Sequence, residues 1–231
     1  MQSNKTYCSD QEAKYWIVEI GRRIYRKNFV ASNDGNISIM TGEKAIWTTP
    51  TGVSKGYMNE EMLVKTDLEG AILEGSEKPS SEVKMHYRVY KENQEVRAVI
   101  HAHPPVATAF AAAGRALDKA YLTEGILQLG VVPLAPYAMP TTNEVPDTIA
   151  PYCCKYNGLL LANHGALTWG RNIEEAWRRM EALEYYANAI RLTEQIASGP
   201  CGLTSAQIER LIKLRAELGV PTGGMPKGID E

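Results

Sequence analysis

The chain has 231 residues, 44% of them apolar, and 25 basic against 27 acidic residues give a formal net charge of −2. That length supports one well-buried domain and is tight for two, so 1–231 is read as one domain. The near-even charge balance argues against a general nucleic-acid or anionic-membrane binder, and no apolar run reaches the roughly 18–20 residues of a spanning helix.

Ser9 or Asp10 can cap a first helix running to about residue 28, with Trp16, Ile17, Ile20, Ile24 and Tyr25 at helical spacing. Asn33-Asp34-Gly35 is a turn signal, and short alternating strands are predicted near 36–40 and 44–48. Thr49-Pro50-Thr51-Gly52 breaks that pattern. Residues 63–67 and 71–74 then read as a hairpin around Leu68-Glu69-Gly70. Pro79-Ser80-Ser81-Glu82 opens a second helix to about residue 92, capped by Ser80 or Ser81. Residues 96–101 form a strand by their β-branched content. Pro104-Pro105 ends it and starts an alanine-rich helix through 113. Short apolar strands at 131–134 and 159–162 flank a short helix at 145–155. A long amphipathic helix spans 173–196, with Trp177, Met180, Leu183, Tyr186, Ala187 and Ile190 as its stripe. A last helix covers about 205–218, and the Gly- and Pro-rich tail from about 219 is expected to be mobile.

The pattern is α/β with many antiparallel pairs. It does not alternate βαβ throughout, so a doubly wound nucleotide-binding sheet is not expected. Gly35, Gly42 and Gly52 form neither a G-x-G-x-x-G nor a Walker loop. Cys8, Cys153, Cys154 and Cys201 form no C-x-x-C pair and read as reduced thiols, and no signal-peptide core follows the first six residues. The expected setting is cytoplasmic.

The chemistry concentrates in the histidines. His101 and His103 form His-Ala-His at the end of a predicted strand, where residues i and i+2 point the same way. Both rings can then reach one ion about 2 Å from each nitrogen. Pro104 keeps His103 extended. His164, in Asn163-His164-Gly165, sits at the end of another apolar strand, and Gly165 would allow a sharp turn there. Three imidazoles from two neighbouring strand ends, with a position left open, suit catalytic zinc better than magnesium or calcium. The fourth histidine, His86, reads as a packed or supporting residue.

Three small-residue turns, Gly35-Asn36, Thr51-Gly52 and Ser80-Ser81, offer backbone N–H groups, hydroxyls and an amide. The last opens a helix, whose free N–H groups favour an anion. Together they could cradle a phosphate with no Arg or Lys among them. Glu82 follows the serine pair and would stand between such a phosphate and the ion. There it could ligate the metal and shuttle a proton.

In this order, Asn33-Asp34-Gly35-Asn36-Ile37-Ser38, Thr49-Pro50-Thr51-Gly52, Pro79-Ser80-Ser81-Glu82, His101-Ala102-His103, Ala135-Pro136-Tyr137-Ala138 and Asn163-His164-Gly165 resemble the class II aldolase/adducin-head family over roughly residues 10–200. The resemblance implies a nine-stranded-type, largely antiparallel central sheet flanked by helices. It also implies one zinc ion per subunit and a homotetramer with active sites at its interfaces. It carries over His101, His103, His164 and Glu82 as metal ligands, with Glu82 also the acid/base. Asn36, Thr51, Gly52, Ser80 and Ser81 carry over as phosphate contacts, with Asn33 and Gly35 beside them. The tyrosine that serves the aldehyde oxygen in family aldolases is matched by Tyr121, although Leu122 fits the spacing as well. The family's tail tyrosine has no counterpart in 221–231.

The implied reaction is cleavage of a ketose 1-phosphate, of the L-fuculose 1-phosphate type, to dihydroxyacetone phosphate and an aldehyde. Pentulose-5-phosphate 4-epimerases of the family carry Asp where this chain has Glu82, which favours the aldolase. Sugar-acid-phosphate decarboxylases and methylthioribulose-phosphate dehydratases share the scaffold. A non-enzymatic adducin-head-like binding module would lack the histidines this chain keeps.

Overall fold

The structure, a computed structural model, describes residues 7–198 and 201–230. Its first helix, α1 (Asp10–Arg26), starts on a capping box: the Ser9 hydroxyl accepts from the Glu12 amide, and the Glu12 carboxylate accepts from the Ser9 amide. Ala13, Ile17, Ile20 and Ile24 form its buried stripe. Each fully buried isoleucine contributes roughly 1.5–3 kcal/mol. Tyr25, on the predicted stripe, is partly exposed, with its ring 5.5 Å from that of Tyr57.

Eight strands among the described residues make one sheet: β1 (Asn36–Gly42), β2 (Ala45–Thr48), β3 (Val64–Asp67), β4 (Ile72–Glu74), β5 (Ala98–Ala102), β6 (Leu134–Ala135), β7 (Gly158–Leu161) and β8 (Gly165–Gly170). Their order is β4-β3-β2-β1-β5-β8-β7-β6, and every neighbouring pair is antiparallel except β6–β7. The class of fold is as expected, one strand short of the nine implied. The unpredicted strand is β8. All six of its residues are buried, and a strand covered on both faces shows no apolar–polar alternation to betray it. It lies between β5 and β7, so the two histidine-bearing stretches are not neighbouring strands as expected. β6 begins later than predicted because Pro133 has no N–H to give the ladder; its carbonyl still accepts from the Leu160 amide at 2.8 Å.

Helices cover both faces of the sheet. Ile37, Ile39, Ala98, Ile100, Ala102, Leu160 and Ala166 pack with residues of α1, α3 (Pro105–Ala112) and α6 (Ile173–Ile196). Met40, Ile46, Val99, Leu159, Leu161, Leu167 and Trp169 pack with residues of α2 (Val83–Glu92) and α5 (Glu144–Ile149). All six predicted stripe residues of α6 are buried. Alternation along β5 therefore sends His101 to the same face as Val99, the face that α2 covers.

Helix α2 starts at Val83 with Glu82 as its N-cap residue and no side-chain cap, so neither Ser80 nor Ser81 is the cap predicted. The Ser80 amide is committed elsewhere: it donates to the Thr49 carbonyl at 3.1 Å, beside a Pro50–Pro79 bridge. This extended pairing delays the helix. An unpredicted short helix, α4 (Thr123–Gln128), packs on α7 (Ser205–Glu217) through Ile126 and Ile208. In the tail, the Gly223 amide donates to Lys155 and the Lys227 amide to Asp118, while Arg215 Nη2 donates to the Gly224 carbonyl. Glu231 lies outside the described residues. No described helix is long and apolar enough to cross a membrane.

Candidate metal centre and anion cradle

His101 is fully buried near the end of β5, and its Nδ1 lies 2.9 Å from the Ala166 carbonyl oxygen on β8. A carbonyl only accepts, so Nδ1 carries the proton and Nε2 keeps a lone pair. His103, just past the strand, brings its Nε2 to 3.1 Å from Nε2 of His101. His164 sits in the turn joining β7 to β8, beside Asn163 at φ 57°. Gly165 serves a different purpose from the turn expected of it. It starts β8 outside the left-handed region, and a Cβ there would come within 2.5 Å of the His103 ring and 2.7 Å of the Ala102 carbonyl. The glycine is what lets the His103 ring lie against the β7–β8 turn.

The ligand nitrogens of His101, His103 and His164 all lie within 4.8 Å of one another. Two nitrogens sharing a tetrahedral ion would stand about 3.3 Å apart, close to the observed His101–His103 spacing of 3.1 Å. Burial holds His101 well below the usual imidazole range and lowers His103 as well. Both are therefore neutral, the form that can ligate. These donors fit a zinc-type ion. Asp34 Oδ2 is 3.4 Å from His103 Nδ1, a carboxylate facing the ring nitrogen opposite the cluster. Asp34 and His103 also line an open cavity of about 790 Å³ with Arg26, Ser32 and Thr108.

Glu82 reaches the same cluster from the start of α2. Its Oε1 is 3.1 Å from His164 Nε2, and its Oε2 is 3.6 Å from His101 Nε2. Asn36 Nδ2 donates to Oε2 at 3.3 Å. Burial works to raise the Glu82 carboxyl. The His164 hydrogen bond and the neighbouring rings outweigh it and bring the value to about 2, so Glu82 is ionised at neutral pH.

The small-residue turns converge beside Glu82. The Thr51 amide donates to Lys78 at 3.0 Å and the Ser80 amide to Thr49 at 3.1 Å, which zips the Thr51-Gly52 turn to the Ser80-Ser81 turn. Gly52 has φ +74°, and a Cβ there would meet nothing within 4 Å. The Gly52 and Val53 amides make no hydrogen bond among the described residues. Asn36 is buried, and its Oδ1 has no partner among the described residues.

Two neighbours of this cradle were not singled out from the sequence. One is Asp34. The other is Lys55, only 1% exposed, whose ammonium donates to the Asn33 carbonyl at 2.8 Å and the Val53 carbonyl at 2.7 Å. The cradle expected to lack a basic residue thus has one buried beneath two of its turns. Lys55 follows Val53-Ser54 in a polar loop, and nothing in that string marks a buried lysine.

His86 is a buried supporting residue: its Nδ1 is 2.7 Å from Ser38 Oγ, and burial lowers its value to about 3. Tyr121 is not brought to the histidines. It is half-buried, near Arg115, Glu194, Cys201 and Gly202. Burial and the Glu194 charge push its phenol up.

Residues 16–190 match the family model described as Class II Aldolase and Adducin N-terminal domain. A 3-oxo-tetronate 4-phosphate decarboxylase from Pectobacterium atrosepticum is 31% identical over 187 residues, covering 79% of this chain and 85% of that protein. An L-fuculose phosphate aldolase from Methanococcus maripaludis is 33% identical over 170 residues, covering 74% of this chain and 91% of that protein. A solved L-fuculose 1-phosphate aldolase superposes with a TM-score of 0.81 at 27% identity, over 90% of this chain and 97% of that one.

Proposed function

The chain belongs to the class II aldolase and adducin N-terminal domain family, and from that premise we propose that it is a zinc-dependent aldehyde-lyase. Its reaction is cleavage of a ketose 1-phosphate, of the L-fuculose 1-phosphate type, to dihydroxyacetone phosphate and an aldehyde. The observation that carries this reading is the meeting of three imidazoles and an ionised Glu82 beside a cradle of open amides and hydroxyls.

His101, His103 and His164 would hold the ion, with Glu82 a further ligand before substrate arrives. When bound, zinc supplies Lewis-acid polarisation of the substrate carbonyl. Asn36, Thr51, Gly52, Ser80 and Ser81 hold the phosphate and so fix the reacting carbons relative to Glu82. In the cleavage direction the C4 hydroxyl gives up its proton as the C3–C4 bond breaks, and Glu82, ionised at rest, takes up a proton in exchange and hands it to the freed carbon. In synthesis it takes that proton back. Asn36, donating to the carboxylate, keeps it aimed. Tyr121 handles the proton of the aldehyde oxygen. Because it stands away from the histidines of its own chain, it serves the site of a neighbouring copy in a cytoplasmic homotetramer. A monomeric mass by light scattering would overturn that assembly.

One observation favours a second reading. The Pectobacterium relative named as a decarboxylase is about as similar as the aldolases. Decarboxylation of a 3-oxo acid phosphate would also break a carbon–carbon bond near a carbonyl, so the same site could serve it. The test is a panel of ketose 1-phosphates assayed for dihydroxyacetone phosphate release, with 3-oxo-tetronate 4-phosphate assayed for carbon dioxide. Release of dihydroxyacetone phosphate supports the aldolase, and carbon dioxide alone would replace it with the decarboxylase.

A further inference from the structure

We infer that Lys55 is the positioning residue of the anion cradle, and that its buried ammonium sets the cradle's preference for a phosphate dianion. The inference rests on the sugar-phosphate reading above and names what makes that cradle selective.

Lys55 draws two carbonyls onto one cation: Asn33 O at 2.8 Å and Val53 O at 2.7 Å. These belong to the two turns that offer Gly35-Asn36 and Thr51-Gly52. A carbonyl oxygen left facing the cradle would repel an oxyanion. With both turned onto the ammonium, the amides of Gly52 and Val53 are left without acceptors among the described residues. Ser54 Oγ, beside them in the chain, is buried and also without a partner among the described residues. The base is rigid. A Cβ at Gly21 of α1 would come within 2.8 Å of the Lys55 carbonyl, and one at Gly56 within 2.5 Å of the Tyr25 ring.

The charge matters as much as the geometry. Asp34 and Glu82, the two carboxylates whose charges act on Lys55, would repel a phosphate dianion held close by. A cation in a low-dielectric setting offsets that repulsion far more strongly than one in water. Burial lowers the Lys55 ammonium to about 8, against the upward pull of Asp34 and Glu82. At neutral pH it is therefore still charged, with two of its three N–H bonds spent on the loops.

The test uses the full chain loaded with zinc, and inorganic phosphate as the titrated probe. Lys55→Met and Lys55→Gln should weaken phosphate binding by about tenfold or more, with zinc content unchanged. On a turned-over sugar phosphate, KM should rise more than kcat falls. Phosphate binding within twofold of the parent protein in both variants would overturn the role of Lys55 and leave the sugar-phosphate reading standing. No phosphate binding by the parent protein would overturn the cradle and the Lys55 inference together. If the variants do not fold, the parent's pH profile decides. Affinity reckoned per phosphate dianion should fall as pH rises through about 8, and a flat profile of that quantity over roughly pH 7–9.5 sinks the inference.

Discussion

Glu82 Oε1 lies 3.1 Å from Nε2 of His164, so a carboxylate at a helix start meets an imidazole from a hairpin turn 82 positions further along the chain. In the proposed reaction a group in that position would reach both the ion and the substrate. Glu82→Gln keeps the size and one acceptor oxygen but cannot carry the proton. The fold and much of the bound zinc should persist, while turnover falls about 10²–10⁴-fold. Zinc analysis beside a turnover assay checks this, and near-normal activity would remove Glu82 from the chemistry.

The three histidines should differ in what their loss costs. His101 is fully buried, and its Nδ1 is satisfied by Ala166, so it is the best organised of the set. Each change to Ala should lower zinc occupancy, with His101→Ala the most severe. Zinc content unchanged in all three variants would refute a shared ion.

Asp34 faces His103 Nδ1 at 3.4 Å. A carboxylate behind a metal-binding imidazole fixes its tautomer, and losing such a partner costs roughly 10–100-fold in metal affinity. Asp34→Ala should therefore release zinc to a competing chelator more readily. Asp34→Asn, which keeps an acceptor oxygen, should release less. Equal retention in both variants and the parent protein would mean that His103 needs no such support.

Glu175 joins Arg171 and Arg179 at the start of α6, and Arg179 is itself buried. Burial works to raise the Glu175 carboxyl, but the Arg171 hydrogen bond and the Arg179 charge leave it below its ordinary 4.5. A depressed carboxyl adds stability above its unfolded value, and that stability is lost as pH falls through the folded value. Glu175→Gln should cost about 3–5 kcal/mol at neutral pH, since it leaves the buried Arg179 guanidinium without its counter-charge. The gap from the parent protein should narrow below pH 4.5. Urea unfolding at several pH values measures both, and a gap independent of pH would show that the ion pair is not its source.

Tyr121 offers a test by mixing. Glu82→Gln and Tyr121→Phe should each be inactive. If Tyr121 serves a neighbouring copy, co-assembled mixtures contain some sites with both residues intact and regain part of the activity. Mixtures as inactive as either variant would place Tyr121 outside the site or within its own chain's.

Local pattern was enough for much of the fold. The cap at Ser9 and the six-residue stripe of α6 are short-range features, and the helices they start and support lie close to where they were read. The His-Ala-His pair also needed only strand geometry, because i and i+2 share a face whatever the surroundings. Other features depended on contacts across the chain. β8 was hidden because both its faces are buried, which erases the alternation that marks a strand. Its insertion between β5 and β7 put the Ala166 carbonyl behind His101 and gave Gly165 its packing role against the His103 ring. Lys55 was invisible for the same reason. A lysine in a polar loop is ordinarily solvated, and only the approach of α1 to that loop, with Gly21 against the Lys55 backbone, encloses it. The sequence by itself determined which residue types could meet an ion and an anion. The tertiary structure alone decided which of them come together, because burial and proximity arise from distant segments packing together.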